Sequence, residues 1–365
     1  MTAPHLDRIR RAREEASNRG LDALVVSPSP DLAYLTGYDP MPLERPTLLV
    51  LRAGSDPALL VPELERPLAA ASPVGEHLEL VPWRDGADPY EAAASLLGGM
   101  ATVAVTDRLW ASHLIGLQRV LPEASFAPAS PVLGRLRSVK DTSELEALRR
   151  AARAADETFR EIVTMSFQGR SEEAVAHDLA ELLVRNGHAR ADFTIVASGP
   201  HGASPHHEPG GRTILPHDAV VMDFGGELGG YFSDTTRTVV VTDAPAGFEP
   251  AYAAVQEAQA AAVDAVKPGV EAQHIDRVAR AVIEAAGYGE RFIHRTGHGI
   301  GLEVHEPPYM VEGDTTVLQP GMTFSVEPGV YLEGRFGIRI EDIVAVGEDG
   351  VERLNRSTRD LQVVA

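Results

Sequence analysis

The strongest constraint on the fold of this chain is an internal repeat in its last two thirds. Residues 169–187 hold a helical, apolar segment between two glycines, and residues 269–287 repeat that arrangement. A similar spacing, about 100 residues, separates His206 from His305 farther along each copy. Such self-similarity indicates two related structural units that bury their apolar faces against each other. We therefore expect this part of the chain to form two similar halves around a common axis.

The first copy continues into AVVMDFGGELGGYFSDTTRTVVV, in which two strand-like stretches flank a glycine-rich segment. This pattern predicts a hairpin that turns within Gly225–Gly230. Asp223 ends the first predicted strand and Asp234 opens the second. Both carboxylates therefore interrupt segments that otherwise have the composition of buried strands.

The second copy follows the same plan in TFSVEPGVYLEGRFGIRIEDIVAV. Glu327 ends a predicted strand, Gly329 is placed at the turn, and Glu341 lies in the returning strand. A buried carboxylate is costly to desolvate unless a cation or a metal ion pairs with it. Two related halves would bring all four carboxylates together, which indicates a shared cation site.

The predicted metal ligands are these four carboxylates and one imidazole. They are Asp223, Asp234, His298, Glu327 and Glu341. Four negative charges balance two divalent ions, and this oxygen-rich set suits manganese, cobalt, iron or zinc. The chain has no cysteine, so thiolate ligands and disulfides are excluded. Two such ions, held ~3.5–4 Å apart, can activate a bridging hydroxide for hydrolysis.

Strand alternation adds residues around this predicted centre. Arg339 is two positions before Glu341, so both side chains are expected on one face, where Arg339 would orient the carboxylates. His206 and His305, related by the repeat, are predicted to polarise the substrate or handle protons. His207 is interpreted as a solvent-facing neighbour of His206, and His294 as a surface or core residue.

The first part of the chain has a different organisation. Short apolar stretches alternate with helical ones up to about residue 130, which predicts a separate α/β domain. We place the domains at residues 1–130 and 131–365. The first contains no catalytic cluster, but it has a proline-rich loop, residues 35–46, that carries Arg45.

Composition excludes several classes of partner. The formal net charge of −20 argues against binding to nucleic acid or to anionic membranes. The chain begins with a charged amphipathic segment, without the apolar region of a signal peptide, and it has no apolar run of about 18 residues. A cytoplasmic location is therefore expected.

The order of these motifs resembles that of the pita-bread metallopeptidases. The shared pattern is Asp-(ten residues)-Asp, then GHGIGLEVHE, SVEPGVY and IRIEDIV, and it covers about residues 140 to 360. The preceding domain is similar to the creatinase/prolidase N-terminal domain. SGPHGASPH and FSDTTRT resemble the prolidase and aminopeptidase P branch. The implied fold is an α/β N-terminal domain followed by an α+β catalytic domain with an internal pseudo-twofold repeat.

The resemblance implies a dinuclear peptidase, activated by manganese or cobalt, that cleaves the bond before a proline. It implies that Glu327 accepts a proton from the bridging water and that His206 and His305 contact the substrate. It also implies a homodimer in which the neighbouring N-terminal domain helps to close each site.

The resemblance leaves two peptidase activities open. Many prolidases place an arginine four residues after the second histidine, but this chain has Tyr309 there. We predict a dipeptidase in which Arg45 reaches across the dimer to the substrate carboxylate, with Arg212 and Arg335 as further candidates. The alternative is an aminopeptidase P that acts on longer peptides. A metal-free, creatinase-like hydrolase and a non-catalytic binding protein share the fold, but both would have lost the ligands that are intact here.

Overall fold

The computed structural model describes residues 4–365, which divide into two compact units. One unit ends at Arg137, and the other is Ser138–Ala365. The predicted boundary lies seven residues earlier. Residues after it form the helix Ser130–Ser138, whose apolar side chains Val132 and Leu133 are fully buried. Burial of this helix keeps it with the elements that precede it.

The N-terminal unit alternates helices and strands, as its sequence pattern predicts. Its helices are α1 (Pro4–Asn18), α2 (Pro30–Thr36), α3 (Arg66–Ala70), α4 (Pro89–Leu97), α5 (Ala111–Val120) and α6 (Ser130–Ser138). Its strands are β1 (Ala23–Val26), β2 (Leu48–Arg52), β3 (Ala58–Pro62), β4 (Glu79–Trp83), β5 (Thr102–Val105) and β6 (Ser125–Pro128). The strands form one mixed sheet in the order β4-β3-β2-β1-β5-β6. Strands β1 and β2 read as continuous apolar runs because both of their faces are covered.

The C-terminal unit contains four long helices and twelve strands in the described part of the chain. Its helices are α7 (Thr142–Ile162), α8 (Glu172–Arg185), α9 (Phe248–Asp264) and α10 (Ala272–Ala285). Its strands are β7 (Arg190–Ser198), β8 (Ala219–Leu228), β9 (Tyr231–Phe232), β10 (Thr235–Val241), β11 (Gly297–Gly299), β12 (Glu306–Met310), β13 (Thr323–Val326), β14 (Gly329–Leu332), β15 (Phe336–Arg339), β16 (Asp342–Val346), β17 (Val351–Arg353) and β18 (Gln362–Val364).

The predicted internal repeat is confirmed in the architecture of this unit. Each half begins with two helices and continues into a sheet, with strand orders β18-β10-β8-β7 in the first half and β12-β11-β13-β16-β17 in the second. An isolated bridge joins Ser171 to Thr213 in the first half, and another joins Glu271 to Val317 at the matching place in the second. Each half therefore ties the start of its second helix to a loop in the same way.

The first hairpin turns within the glycine-rich segment that the sequence predicts. β8 continues through Gly225 to Leu228, and the chain turns at Gly229–Gly230, where both φ angles are positive. A side chain at Gly225 would place its Cβ 2.1 Å from the carbonyl oxygen of Ser233, so close strand approach explains this glycine. The turn therefore lies at the last two residues of the predicted segment, Gly225–Gly230.

The second hairpin turns later than the sequence predicts. Gly329 does not form the turn but begins β14, and the chain reverses at Gly334, where φ is +72°. Glu341 lies between β15 and β16 rather than within a strand. The hairpin β14–β15 occupies the place that the β8–β9 pairing has in the first half.

The loop that carries His206 is seated directly on β15. A Cβ atom added at Gly337 would lie 1.7 Å from the carbonyl oxygen of Gly202, so the two backbones touch. Only glycine allows this approach. None of the helices within residues 4–365 combines the length and apolar character needed to cross a membrane.

We expect Gly337→Ala to lower the free energy of unfolding by about 1–3 kcal/mol, because the new methyl group overpacks a backbone contact. Urea unfolding measures this change. Gly350→Ala is the matched control, since a Cβ at Gly350 meets nothing within 4 Å. Equal stability of the two variants would contradict the close contact.

Candidate active site

The structure brings the five predicted metal ligands together within the C-terminal unit. Asp223 is in β8, and His298 is the central residue of β11. Glu327 follows β13 directly, and Asp234 and Glu341 each stand one residue before a strand, β10 and β16 respectively. Each half of the repeat thus contributes two carboxylates from strand ends or strand interiors.

The ligand atoms of this cluster are close enough to share cations. His298 Nε2 lies 3.2 Å from Glu327 Oε1 and 3.6 Å from Asp234 Oδ2. Asp223, Asp234 and Glu341 offer carboxylate oxygens that all lie within 4.8 Å of one another, and so do the ligand atoms of His298, Glu327 and Glu341. The two groups share Glu341, which suits a pair of neighbouring ions.

The buried carboxylates of the cluster repel one another, and a bound cation would relieve this repulsion. Burial, reinforced by the neighbouring carboxylates, raises the pKa of both Asp234 and Glu341 well above the ordinary value. Burial alone would also raise the pKa of Glu327, but its hydrogen bond with His298 and nearby positive charge lower that pKa to about 2. Asp223 Oδ1 and Glu341 Oε1 are buried without a hydrogen-bond partner. The donor set therefore fits divalent ions, which would satisfy both oxygens.

Neighbouring side chains fix the orientation of two carboxylates. Arg339 Nη2 donates to Asp223 Oδ2 at 2.5 Å, and Thr236 Oγ1 donates to Glu341 Oε2 at 2.6 Å. Arg339 Nε also donates to Thr236 Oγ1 at 3.1 Å. The remaining oxygen of each carboxylate is thereby left facing the cluster, as a metal ligand requires.

The predicted histidines lie around the same cavity, which has a volume of about 640 Å³. His206 and His305 both line it. The ring centroid of His305 is 3.9 Å from that of His298. Burial, together with His298 and Arg295, lowers the pKa of His305 to about 4, although the residue as a whole is exposed. His305 is therefore neutral at pH 7.

Two residues that the sequence reading passed over also belong to this site. His294 lines the cavity, and its Nε2 is 2.8 Å from the hydroxyl of Tyr331, which in turn accepts a 2.9 Å hydrogen bond from Arg339 Nη1. Both ring nitrogens of His294 have hydrogen-bond partners, as expected of a core histidine, but its place at the cavity was not predicted. Tyr331 could have been found from its spacing. Glu327, Gly329 and Tyr331 are two residues apart, so in an extended segment they lie on the same face. No sequence signal marks His294.

A second cluster holds the loop that carries His206. The fully buried Glu172 accepts hydrogen bonds from the backbone N–H and the hydroxyl of Ser198, at 2.8 and 2.7 Å. His201 and His207 approach the same carboxylate at 3.1 and 2.9 Å. His207 is thus a structural partner of Glu172 rather than the solvent-facing residue we expected.

Three further residues predicted to bind the substrate do not line the cavity. In the N-terminal unit, Arg45 makes a bidentate salt bridge with Asp85. Arg212 makes a bidentate pair with Asp218. Tyr309 does not line the cavity, but its ring lies 4.5 Å from the guanidinium carbon of Arg295, which does.

Nearly the full chain matches two families of known proteins. Residues 8–139 match the creatinase/prolidase N-terminal domain, and residues 146–348 match metallopeptidase family M24. The probable dipeptidase PepE of Mycobacterium tuberculosis is 44% identical over 360 residues, which is 98% of this chain and 96% of the relative. This chain belongs to metallopeptidase family M24. Its predicted relationship to the pita-bread metallopeptidases is confirmed.

Two further relatives match over the whole or nearly the whole of this chain. The Xaa-Pro dipeptidase of Lactobacillus delbrueckii subsp. lactis is 34% identical, with 99% of each chain covered. The crystal structure of the Thermococcus sibiricus prolidase superposes with a TM-score of 0.92 at 35% identity, and each chain is covered completely. The M24 chain described here is therefore a metallopeptidase with a creatinase-type N-terminal domain, and divalent ions are its cofactors.

We expect Glu172→Gln to lower the free energy of unfolding by about 1.5–3 kcal/mol at neutral pH, because bonds to a charged acceptor are lost. Burial would raise the pKa of Glu172, but hydrogen bonds from Ser198 and His207 hold it below its usual range. Its contribution is thus present above the unfolded-state pKa, about 4.3, and is lost as the pH falls through the folded-state value.

Urea titrations from pH 7 down to pH 3 measure this difference. Glu173→Gln, at an exposed neighbouring carboxylate, is the control. A penalty for Glu172→Gln that stays constant across this range would contradict the charge-based account.

Proposed function

We propose that the protein is an Xaa-Pro dipeptidase, a prolidase that hydrolyses the bond between an N-terminal residue and proline. The observation that carries this proposal is one cavity that combines four carboxylates, His298 and two further histidines, His206 and His305. The full-length similarity to proteins named Xaa-Pro dipeptidase and prolidase supports the substrate class.

Within this proposal, two divalent ions bind to the cluster and supply the Lewis acidity and the activated water for peptide hydrolysis. The proposed ligands are Asp223, Asp234, His298, Glu327 and Glu341. We favour manganese, with cobalt, zinc and iron as alternatives, because the set is rich in hard oxygen donors. Asp223 and Glu341 keep one free oxygen each, as described above.

The proposed proton acceptor is Glu327. Despite its burial, its hydrogen bond with His298 and the nearby positive charge lower its pKa, so the carboxylate is ionised at neutral pH and has not already taken up a proton. Ser325 Oγ donates to Glu327 Oε1 at 3.0 Å and orients the carboxylate. His206 and His305 are positioned to donate hydrogen bonds to the substrate around the scissile bond. Arg339 keeps Asp223 aligned.

Two finer proposals rest on the family resemblance. They are a homodimer and a neighbouring N-terminal domain that helps to close each site. We also propose a cytoplasmic location. Light scattering tests the dimer. Aminopeptidase P activity is the alternative to the dipeptidase, and the relative rates on Leu-Pro and Leu-Pro-Ala distinguish the two.

The metal proposal predicts that Asp234→Asn has opposite effects on stability with and without bound metal. At a manganese concentration of about 100 Kd, each site should stabilise the wild type by about 2.7 kcal/mol, and the variant should lose much of this gain. In EDTA the variant should be at least as stable as the wild type, because one of four clustered carboxylates is gone.

Thermal unfolding in each condition, with metal content from elemental analysis, measures these effects. Glu173→Asn, which removes an exposed carboxylate, is the control. A manganese-loaded wild type with well below two ions per chain would contradict the dinuclear proposal.

The substrate proposal predicts that Leu-Pro is hydrolysed much faster than Leu-Ala. His206→Ala and His305→Ala should each lower kcat on Leu-Pro by about 10²–10⁴-fold and leave metal content unchanged. Steady-state kinetics and elemental analysis measure both quantities. If Leu-Ala is cleaved as fast as Leu-Pro, the assignment to proline peptides is wrong.

A further inference from the structure

The catalytic cavity contains one arginine whose donors have no acceptor. Arg295 and Arg339 are the arginines that line the cavity, and no lysine does. Arg339 is fully engaged with Asp223, Thr236 and Tyr331. By contrast, the guanidinium of Arg295 makes no hydrogen bond or salt bridge to any residue within 4–365. This unpaired charge lies in the same cavity as the metal cluster.

The position of Arg295 is nevertheless well defined. The next residue, Thr296, is buried and bonds through its N–H and hydroxyl to Asp276, and its N–H also reaches the Met310 carbonyl. The Arg295 guanidinium lies over the ring of Tyr309, with its central carbon 4.5 Å from the ring centroid. All five N–H groups of a guanidinium point outward in its plane, so stacking on one face leaves the donor edges free. Arg295 is therefore held in place with its hydrogen-bonding capacity unused.

A fixed, unpaired guanidinium edge in a cavity is suited to bind a carboxylate in a bidentate manner. An Xaa-Pro dipeptide carries such a group on the proline, a few bonds from the carbonyl that is attacked. Its recognition must therefore occur within the cavity that holds the metal cluster. Arg45 is less suited, because Nε and Nη2 already bind both oxygens of Asp85, while Nη1 binds Glu44.

We propose that Arg295, supported by Tyr309, binds the C-terminal carboxylate of the dipeptide and thereby selects dipeptides over longer substrates. This inference rests on the proposed Xaa-Pro dipeptidase function. An acidic side chain on the first residue of the substrate would also offer a carboxylate to Arg295. Leu-Pro and Asp-Pro distinguish this side chain from the C-terminal carboxylate. Arg295 is a specificity-determining residue, and Tyr309 acts through it as a positioning residue.

The test compares kcat/KM on Leu-Pro, Leu-Pro-amide and Asp-Pro. The wild type should prefer Leu-Pro to its amide, which lacks the carboxylate. Arg295→Ala should lower kcat/KM on Leu-Pro roughly 10- to 150-fold and leave the amide nearly unchanged. Arg291→Ala, at an exposed arginine four positions earlier, should change neither substrate. Tyr309→Ala should raise KM for Leu-Pro more than it changes kcat. Tyr309→Phe, which keeps the ring, should have the KM of the wild type.

Several results would overturn the proposal. An equal loss on Leu-Pro and Leu-Pro-amide would show a structural role, and an effect confined to Asp-Pro would assign Arg295 to the first residue. Loss of the preference in Arg45→Ala rather than in Arg295→Ala would assign the carboxylate to Arg45.

Binding provides a readout that does not depend on turnover. In calorimetry on the manganese-loaded protein, L-proline should bind more tightly than L-prolinamide to the wild type and equally to Arg295→Ala. Equal binding of both compounds by the wild type would contradict the proposal. A wild type that binds them unequally but cleaves no Xaa-Pro dipeptide would instead refute the proposed function alone.

Discussion

The C-terminal unit places four carboxylates in one buried cluster, where they repel one another. This repulsion is an energetic cost that the unit has to offset. The protein alone does not neutralise these carboxylates. Arg339 engages Asp223 and Thr236 engages Glu341, yet burial and repulsion still raise the pKa of Asp234 and Glu341. Such an arrangement lowers stability unless cations bind, because unpaired buried charges are costly. The energetic cost of the site in the folded protein is therefore also the source of its affinity for divalent ions.

The rest of the fold can be understood as support for this cluster. The strands position the carboxylates, and a layer of neutral and cationic side chains fixes their rotamers. Tyr331 links His294 to Arg339, so one hydrogen-bonded series runs from the cavity wall to a proposed metal ligand. A separate series through Glu172 holds the loop that carries His206. Mutations in either series are expected to act through geometry rather than through direct chemistry.

The sequence predicted the repeat, the two-part architecture and the residues that cluster, because each leaves a regular spacing or an isolated charge in an apolar strand. It did not predict where the second hairpin turns or what Gly225 does. Gly225 resembles a turn residue but serves a close strand contact, and Gly329 begins a strand. His294 and Arg295 were also missed. Their roles come from contacts with Tyr331 and Tyr309, which are distant in sequence and leave no local pattern.

The two halves of the repeat are related in architecture, but they are not chemically equal. Each provides two of the carboxylates, whereas the imidazole of His298 and the guanidinium of Arg339 both come from the second half. At the matching place in the first half, Gly199 begins a short 3-10 turn instead. The approximate twofold axis is thus broken at its centre. Two ions bound there would have different ligand fields, so they would bind one after the other with unequal affinities.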